Sequence, residues 1–392
     1  MSKTFAYLSE VCALVTDGTH YTPKDIGNGV PFLTVKDVSE RGLDFVNCSH
    51  ISEHDFDLAM NGNCVPLAGD ILFSKDGTVG KVHVVETSQR FAVLSSLAIL
   101  RPDTTKIDSK YLGHALKSPS ILAQAIKKKT GSAIRRIVLS DLKQLQIPLP
   151  HLDEQRRIAA ILDNAEGLRA KRRAALALLD LIPQAIFLEM FGDPVTNRKA
   201  WRTGILSEAS IQITDGEHQT PKRQSTGIKL LSARNVKDGF LDFSDVDHVG
   251  DDEYARISKR CNPRPGDVLI SCSGTIGRVA PVIVDEPLSL VRSAALVKPK
   301  SDVITTNFLV ELLRTPSLRR RMVQRANASS QANLFQNQIR ELPVIFPPLD
   351  FQNDFAALVA AIRRAKTYHK TALAEVEALF ASLQSQLLEL RK

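Results

Sequence analysis

The chain of 392 residues repeats itself once, and this repeat constrains its fold more than any other feature. Residues 16–45 align with residues 214–243 without a gap, and thirteen of the thirty positions are identical. Further along, "GDILFSKDGTVGK" (69–81) matches "GDVLISCSGTIGR" (266–278). Two long copies indicate a duplicated domain, because solenoids are built from several short repeats.

Within each copy, the predicted secondary structure changes once, from strand-rich to helical. Short runs of β-branched residues between Gly- and Pro-rich turns predict strand-rich domains over residues 1–150 and 194–347. We expect a helix near residues 109–129 in the first of them.

A long helical segment follows each strand-rich domain, over residues 151–193 and 348–392. Apolar residues recur there at i, i+3, i+4 and i+7 over about nine turns, which is typical of an amphipathic helix. Asp153 and Asp350 are at the expected N-cap positions. Pro183 is expected to kink the first helix or to mark its last turns.

One small domain cannot bury so long an apolar stripe, so we expect the two helices to pack on each other. About thirty-five residues at 1.5 Å each make a spacer on the order of 50 Å. The predicted fold class is α+β, with two duplicated strand-rich domains separated by a pair of long, antiparallel, coiled-coil-like helices with pseudo-twofold symmetry.

The formal net charge of +8 favours a polyanionic partner such as nucleic acid, although solubility alone would also explain it. The five cysteines are scattered without a CxxC pair, which predicts neither a zinc site nor a disulfide framework and fits a reducing cytoplasm. We find no signal-peptide h-region and expect no run long enough to span a bilayer.

Motifs of catalysis are missing from the sequence. It has no phosphate-binding P-loop, no dinucleotide-binding GxGxxG turn, no HExxH and no GxSxG. His20 and His218 coincide in the repeat, but no nearby cysteine or acidic pair completes a metal site. The sequence therefore predicts a duplicated binding protein and not an enzyme.

Both copies contain a glycine-punctuated turn that ends in a cation, at residues 77–81 and 274–278. Glycines let backbone N–H groups approach a ligand closely, and the cation suits a phosphate, although a simple hairpin turn would look the same. Basic residues also accumulate late in each domain, among them Arg135, Arg136 and Arg320. They are either phosphate contacts or solvated helix faces.

Other positions change residue type between the copies inside matching segments. The pairs are Thr19-His20-Tyr21 and Glu217-His218-Gln219, Lys36-Asp37 and Arg234-Asn235, and Lys75-Asp76 and Cys272-Ser273. Most of these are residue types that contact base edges in the major groove. A kept framework with varied contact residues suggests two modules that bind two different short sequences; drift after duplication is the alternative.

These patterns nominate a set of candidate DNA contacts. They are His20, Lys24, Lys36, Lys75, Lys81, Arg135, Arg136, His218, Lys222, Arg234, Asn235, Ser273, Arg278 and Arg320.

The chain resembles the specificity (S) subunits of type I restriction–modification systems. The resemblance rests on the full-length duplication, on "GDILFSKDGTVGK" and its repeat, and above all on "IPLPHLDEQRRIAAIL" (147–162). It implies two target-recognition domains, each bound to one half of a split double-stranded DNA target. Phe351 stands where the first copy has Glu154, so no role common to both copies is expected for that glutamate.

The resemblance also implies partners. Two methyltransferase (modification) subunits would dock on the helices, restriction (translocase–nuclease) subunits would join them, and AdoMet, ATP and Mg²⁺ would belong to those partners. The residues nominated on the partner-docking helices are Ile158, Leu162, Leu168, Leu179, Phe187, Phe355, Ile362, Val376 and Phe380.

Two other functions fit parts of the pattern. One is the recognition portion of a fused restriction–methylation enzyme, or a DNA-recognition adaptor of another defence or methylation system. The other is a coiled-coil scaffold with sugar- or protein-binding β domains, which would bind DNA weakly and with little dependence on salt.

Overall fold

The structure is a computed structural model that describes residues 5–39, 42–127, 136–327 and 332–388. The chain folds into two compact units. One consists of Met1–Arg173 with Ala372–Lys392, and the other is Ala174–Thr371. The units thus divide the chain differently from the predicted domains, because each long helix begins in one unit and ends in the other.

The first unit contains a strand-rich domain with several short helices. Its elements are β1 Phe5–Tyr7, α1 Leu8–Val11, β2 Cys12–Asp17, β3 Val30–Leu33, a 3-10 turn Val35–Asp37, β4 Val38–Ser39, β5 Gly42–Leu43, β6 Ser49–Ile51, α2 Glu53–Asn61, β7 Ile71–Ser74, β8 Val82–Val84, β9 Ala92–Val93, β10 Leu97–Pro102, α3 Ser109–Lys117, α4 Pro119–Lys127, α5 Leu139–Lys143, β11 Gln146–Pro148 and the start of α6 Leu152–Phe191.

The central sheet of this unit has the strand order β2-β10-β7-β8, with all neighbours antiparallel. A smaller sheet has the order β6-β3-β9, and β1 pairs with β11 just before α6. β7 is covered on both faces: Ile71 and Phe73 pack in the core with Leu112 of α3, whereas Leu72 packs in a second core with Phe91. Burial on both faces explains why "ILFS" is a continuous apolar run.

The second unit repeats this arrangement. Its elements are β12 Thr203–Ile205, β13 Ser210–Asp215, β14 Arg223–Gln224, β15 Ile228–Leu231, a 3-10 turn Ala233–Asn235, β16 Asp247–Val249, α7 Asp251–Ser258, β17 Val268–Ser271, β18 Val279–Pro281, β19 Leu288–Leu290, β20 Ala294–Pro299, α8 Thr306–Arg314, α9 Pro316–Ala326, α10 Gln336–Arg340, β21 Pro343–Ile345 and the start of α11 Leu349–Leu388. The central sheet has the order β13-β20-β17-β18.

The long helices α6 and α11 have 40 residues each. At 1.5 Å per residue each is about 60 Å long. In the first unit their segments run antiparallel: Arg173 pairs with Glu377 at 2.8 Å, and the Arg169 guanidinium lies 4.4 Å from the centroid of the Phe380 ring.

The second unit shows the same antiparallel contact between the other ends of these helices. The ring centroids of Phe187 and Phe355 are 5.7 Å apart, and those of Phe191 and Phe351 are 6.2 Å apart. The predicted α+β fold, with duplicated strand-rich domains and antiparallel long helices, is confirmed.

Local expectations for the helices need correction. Asp153 and Asp350 lie in the first turn of their helices and not at the N-cap. Pro183 lies within the last turns of α6, which ends at Phe191, as one of the two expectations for it states. The helix expected near residues 109–129 is two helices, because Ser118 precedes Pro119 and takes an extended ψ of 144°. Proline disfavours helical geometry in the residue before it.

Candidate nucleic-acid interface

The repeated loops of the first unit meet at one end of its central sheet. β2 and β7 end there, whereas β8 and β10 begin there, with Asp17 opposite Ala98 and Ser74 opposite Leu97. We call this the loop end of the unit. The opposite end, where β10 leads toward α3, is called the helix end.

Backbone hydrogen bonds tie the loops of the first unit together at the loop end. The Thr19 N–H donates to the Val93 carbonyl at 2.9 Å and the Lys75 N–H to the Ser96 carbonyl at 3.0 Å. The Ile137 N–H donates to the Lys75 carbonyl at 3.0 Å, which brings in the segment before α5.

The loop end of the second unit uses the corresponding bonds. The Glu217 N–H donates to the Leu290 carbonyl at 2.8 Å, and the Cys272 N–H donates to the Ser293 carbonyl at 2.8 Å. The Leu334 N–H donates to the Cys272 carbonyl, also at 2.8 Å. The repeat in the sequence is therefore a repeat of one loop framework.

Gly18 and Gly216 in the "TDG" segments are required by close backbone approach. A Cβ atom on Gly18 would lie 2.0 Å from the Val93 carbonyl oxygen, and one on Gly216 would lie 2.5 Å from that of Leu290. Only glycine lets the loop cross the sheet edge at this distance.

The aspartate before each glycine binds a histidine and a second cation. In the first unit Asp17 lies 3.3 Å from His20 and 3.0 Å from the Lys75 ammonium. Lys75 is only 7% exposed, and its charge is taken by this pair. Lys75 is thus a buried partner of Asp17, and its contact with DNA stays a prediction.

The second unit supplies that cation from another place. Cys272 replaces Lys75, and burial raises the pKa of its thiol to about 12, so the thiol is neutral. Arg260 pairs with Asp215 instead, at 2.5 Å, and His218 lies 2.8 Å from the same carboxylate. Each unit thus pairs this aspartate with a cation, which is Lys75 in the first unit and Arg260 in the second.

The glycine turns are hairpin turns closed by a serine hydroxyl. Ser74 Oγ donates to the Thr78 carbonyl at 2.6 Å and accepts from the Lys81 N–H at 2.7 Å. Ser271 Oγ makes the same bonds to Thr275 and Arg278, at 2.6 and 2.9 Å. The simpler of the two interpretations, a structural turn, accounts for these contacts.

Lys81 at the end of the turn points into the protein. Its ammonium donates to the carbonyls of Val35 and Val38, at 2.9 and 2.7 Å. These bonds occupy the group predicted to contact phosphate, and the assignment of Lys81 to DNA stays a prediction. Arg278 occupies the equivalent position and is half-buried.

Asn235 is also a structural residue. It is 2% exposed, its Nδ2 donates to the carbonyls of Asp242 and Asp245 at 3.0 and 2.8 Å, and its Oδ1 accepts from the Ser232 N–H at 2.9 Å. Its amide joins the 3-10 turn to the segment that contains Asp242 and Asp245, and its assignment as a base contact stays a prediction. Asp37 has the same position in the first unit and accepts from the Thr34 N–H at 2.7 Å.

Several nominated residues remain exposed. They are His20, Lys24, Lys36, Arg136, His218, Lys222, Arg234 and Arg320, while Ser273 is half-exposed and Arg135 lies outside the described residues. Arg320 is on α9, which packs against the glycine turn of its unit: a Cβ on Gly277 would lie 3.4 Å from Met322. Arg234 is held by Asp247 at 3.1 Å, so its head group is oriented as well as exposed.

The middle residues of the first loop differ in chemistry between the units. In the second unit Glu217 pairs with Arg256 at 2.9 Å and accepts the Gln219 N–H at 2.8 Å, and these contacts, the backbone bond first, lower the pKa of its carboxyl. In the first unit Thr19 donates to the Tyr21 carbonyl at 2.9 Å, and Tyr21 is exposed. The two loop ends therefore present different groups on one framework.

Sequence reasoning overlooked a pair of buried glutamines at the helix end. Gln155 is fully buried; its Oε1 accepts from the Asp108 N–H at 2.8 Å, and its Nε2 donates to the carbonyls of Lys106 and Pro150 at 3.0 and 2.8 Å. The signal was available, because this glutamine recurs at position 352 within "LDEQ" and "LDFQ".

Gln352 makes the matching bonds in the second unit. Its Oε1 accepts from the Thr305 N–H at 2.8 Å, and its Nε2 donates to the carbonyls of Val303 and Pro347 at 3.1 and 3.0 Å. Each long helix is thus fastened to its domain at the end of the sheet opposite the loops.

Most residues nominated for partner docking are internal. Ile158, Leu162, Phe187, Phe355 and Phe380 are buried in the cores of their own units, and their assignment to docking stays a prediction. Leu179, Ile362 and Val376 are half-buried and Leu168 is exposed. The apolar residues that α6 and α11 do expose are Leu168, Leu178, Leu181, Ile182, Leu188, Phe351, Leu358, Tyr368 and Leu379.

The helix α6 is also long and apolar enough to cross a membrane, by length and composition only. A window of 18 residues in it has a mean hydropathy of 1.7, and 11% of that window is buried. The expectation that no run approaches this length is wrong by this criterion, although one such helix is weak evidence for a membrane span. In the same helix, Phe187 and Phe191 belong to the core of the second unit.

Within the described residues, no group of three or more His, Cys, Asp or Glu side chains is placed to hold a metal ion. The geometry that recurs in both units is a set of exposed polar loops on a rigid sheet. Two such units in one chain, each fastened to a long helix, define a duplicated recognition protein.

The comparisons with known proteins give this class a family. The family model described as "Type I restriction modification DNA specificity domain" matches residues 4–177 and 226–378, and the chain belongs to this family.

Two relatives show the extent of the similarity. The type I restriction enzyme EcoBI specificity subunit of Escherichia coli is 23% identical over 380 residues, which are 88% of this chain and 76% of that protein. The putative type I restriction enzyme MjaX specificity subunit of Methanocaldococcus jannaschii is 25% identical over 209 residues, 51% of this chain and 48% of that protein. The chain thus spans about half the length of the second relative.

Two solved structures share the fold. The S subunit of a type I restriction-modification system from M. genitalium matches with a TM-score of 0.58 and 16% identity, over 100% of this chain and 97% of that one. A chain from a structure on complex assembly and conformational transition of the type I R-M system matches with a TM-score of 0.60 and 17% identity, over 98% and 97%.

Proposed function

We propose that the chain is the DNA specificity subunit of a type I restriction–modification complex in the cytoplasm, and that each unit binds one half of a bipartite double-stranded target. One observation carries the proposal. Both units present the same loops at the loop end on matching backbone bonds, while the exposed side chains on those loops differ. A shared framework with different surface groups suits two modules with two target sequences.

The exposed cations are the residues we assign to DNA. Lys24 and Lys222 occupy the same place in the two loops and are exposed, which suits contacts to the phosphate backbone. The groups that differ between the loops, Tyr21 in one unit and Glu217 with Arg256 in the other, are the candidates for sequence selection.

The exposed apolar face of α6 supports a second part of the proposal. Leu178 and Leu181 are 63% and 66% exposed and lie with Ile182 on one face of α6, and a contiguous exposed apolar patch marks an interaction site. We assign this face to the methyltransferase subunits, with restriction subunits joined through them. In this scheme the chain performs no catalytic step, and AdoMet, ATP and Mg²⁺ are held by the partners.

The salt dependence of DNA binding tests the assignment of the lysines. Lys24→Ala and Lys222→Ala should each weaken binding on all sequences and reduce the slope of log K against log salt by about 1. Lys106→Ala is the matched control, an exposed lysine between β10 and α3 at the helix end, and should leave the slope unchanged. Equal slopes for all three variants and the parent would contradict the interface.

The target itself is measured by sequencing methylated bases in a host that expresses the chain with a type I methyltransferase subunit. A bipartite methylated sequence is expected. Methylation without a bipartite sequence, or binding that is insensitive to salt, would reject the proposed function.

A further inference from the structure

We call the contact between each domain and the start of its long helix the joint. The side of the joint that carries the carboxylate is reversed between the two units. In the first unit α3 supplies two lysines and a histidine, and α6 supplies carboxylates. His114 Nε2 lies 2.7 Å from Asp163 Oδ1, and Lys110 Nζ lies 3.0 Å from Asp163 Oδ2. Lys117 Nζ lies 3.4 Å from Glu166 Oε1.

These side chains of α3 and α6 form specific contacts and are not merely neighbours on a solvent-exposed surface. The His114 side chain is 4% exposed, so its partner on α6 is set by the packing of the joint. Burial alone would raise the pKa of Asp163, but hydrogen bonds from His114 and Lys110 outweigh it and lower that pKa. The carboxylate of Asp163 therefore stays charged where the domain meets the helix.

In the second unit the carboxylate, Glu311, is on the domain beside Arg314, which occupies the place of Lys117, and the helix supplies the cation Arg363. Glu311 of α8 occupies the place of His114, and Arg363 of α11 occupies the place of Glu166. Glu311 is buried, its Oε1 accepts from Arg314 at 2.6 Å, and its Oε2 has no hydrogen-bond partner among the described residues. Burial lowers the pKa of Arg363, and the charge of Glu311 opposes that effect.

The rest of the joint is alike in both units. The buried glutamine, Gln155 or Gln352, fastens each helix start by the same three bonds. Ile158 in one unit and Phe355 in the other fill the apolar part of the contact. The backbone geometry would therefore accept either helix, and the charges distinguish them.

A crossed joint would bring like charges together. A second-type domain placed before α6 would bury Glu311 against Asp163 and Glu166. A first-type domain placed before α11 would leave Arg363 without the carboxylate of Glu311, and Ala360 would offer His114 no carboxylate. Breaking a buried ion pair on one side leaves an uncompensated charge and is strongly destabilising.

We propose that each strand-rich domain is matched by charge to the first turns of its own helix, up to Glu166 in α6 or Arg363 in α11, because the charge polarity of the two joints is reversed. A domain can therefore change position in the chain only together with that helix segment. The partner that each domain surface fits is thus its own helix start and not the homologous one.

The test uses two full-length chains that carry the second domain in the first position. In the early-junction chain, residues 194–347 replace residues 1–150 and α6 is kept. In the late-junction chain, residues 194–363 replace residues 1–166. The early-junction chain should melt about 5–10 °C below the late-junction chain, since it alone has a crossed joint.

Point substitutions in the early-junction chain distinguish the contribution of charge to the melting temperature from that of packing. Asp163→Ala with Glu166→Arg in the early-junction chain should recover more than half of the loss. Arg156→Asn, which also makes α6 like α11 but at a position that is exposed in both units, should recover none. Equal melting of the two chains, or equal recovery by both sets of changes, would overturn the proposal.

The native chain supplies an independent measurement if an exchanged chain does not fold. Glu166→Arg with Asp163→Ala should lower the melting temperature, and adding His114→Glu should restore part of it by creating the polarity of the second unit. A further decrease on adding His114→Glu would also overturn the proposal. None of these measurements depends on DNA binding, so their failure would leave the proposed function untouched.

Discussion

Gln155 of α6 binds three backbone groups of the first unit, in the segment 106–108 and at Pro150, and it is fully buried. Gln155→Ala would leave the Asp108 N–H and the Lys106 carbonyl without partners in the interior. Because each such group costs about 1–3 kcal/mol, we expect a decrease of about 2–4 kcal/mol in the free energy of unfolding. Urea denaturation followed by circular dichroism measures it.

Glu154→Ala is the control for this change. Glu154 is the neighbouring residue, is exposed and pairs only within its own helix, with Arg157. It should leave the unfolding midpoint where it is. If Gln155→Ala behaves like Glu154→Ala, the glutamine does not fasten the helix.

Single residues also show where sequence reasoning reached its limit. The repeat correctly identified the loops as shared features, but it could not separate Lys24, which is exposed, from Lys75 and Lys81, which are engaged inside the protein. The distinction depends on partners far away in the chain, such as the Val35 carbonyl for Lys81. Residue type and repeat position carry no information about such contacts.

Among the elements, the helix α6 makes the clearest prediction. Leu181→Asp lies on the exposed face and should leave the fold intact while it weakens association with the methyltransferase subunit by tenfold or more, since a charge would be buried at that contact. Co-purification and titration of the two subunits measure the effect.

Leu162→Asp is the comparison for Leu181→Asp. Leu162 is fully buried in the core of the first unit, so its replacement should unfold that unit and lower the yield of soluble protein. Normal co-purification of Leu181→Asp would exclude this face of α6 as the docking site.

The presence and approximate length of the long helices could be predicted from the sequence, but not which of their apolar residues are buried. Their apolar period and length were evident from the sequence, and both extend over 40 residues. The period does not tell which apolar residues face inward, because a stripe of this width includes both Phe187, buried in a core, and Leu181, exposed. The division at Ser118 follows from a local rule, because Pro119 disfavours helical geometry in the residue before it.

For the whole molecule, independent recognition by the two units has a direct test. Replacing residues 1–166 with the equivalent segment of a relative should change one half of the methylated target and leave the other half unchanged, because the loop framework of each unit is complete within that unit. Sequencing of methylated bases before and after the exchange gives the answer. A change in both halves would mean that the two units do not recognise DNA separately.

The duplication made the architecture predictable, because one chain contained its own alignment. The linear domain boundaries did not anticipate the compact units, since neighbours in space such as Arg169 and Phe380 are far apart in the chain. Periodicity predicts that two helices pack together, but not which domain each end belongs to.

The cation at the loop aspartate has an evolutionary consequence. Asp17 is neutralised by Lys75, whereas Asp215 is neutralised by Arg260, which occupies the place of Asn63 in the first unit. Losing the lysine is tolerable only where an arginine has been gained at the other position, so the order of substitution is constrained. Across relatives, these two positions should covary, and a sequence with neither cation should have lost the aspartate as well.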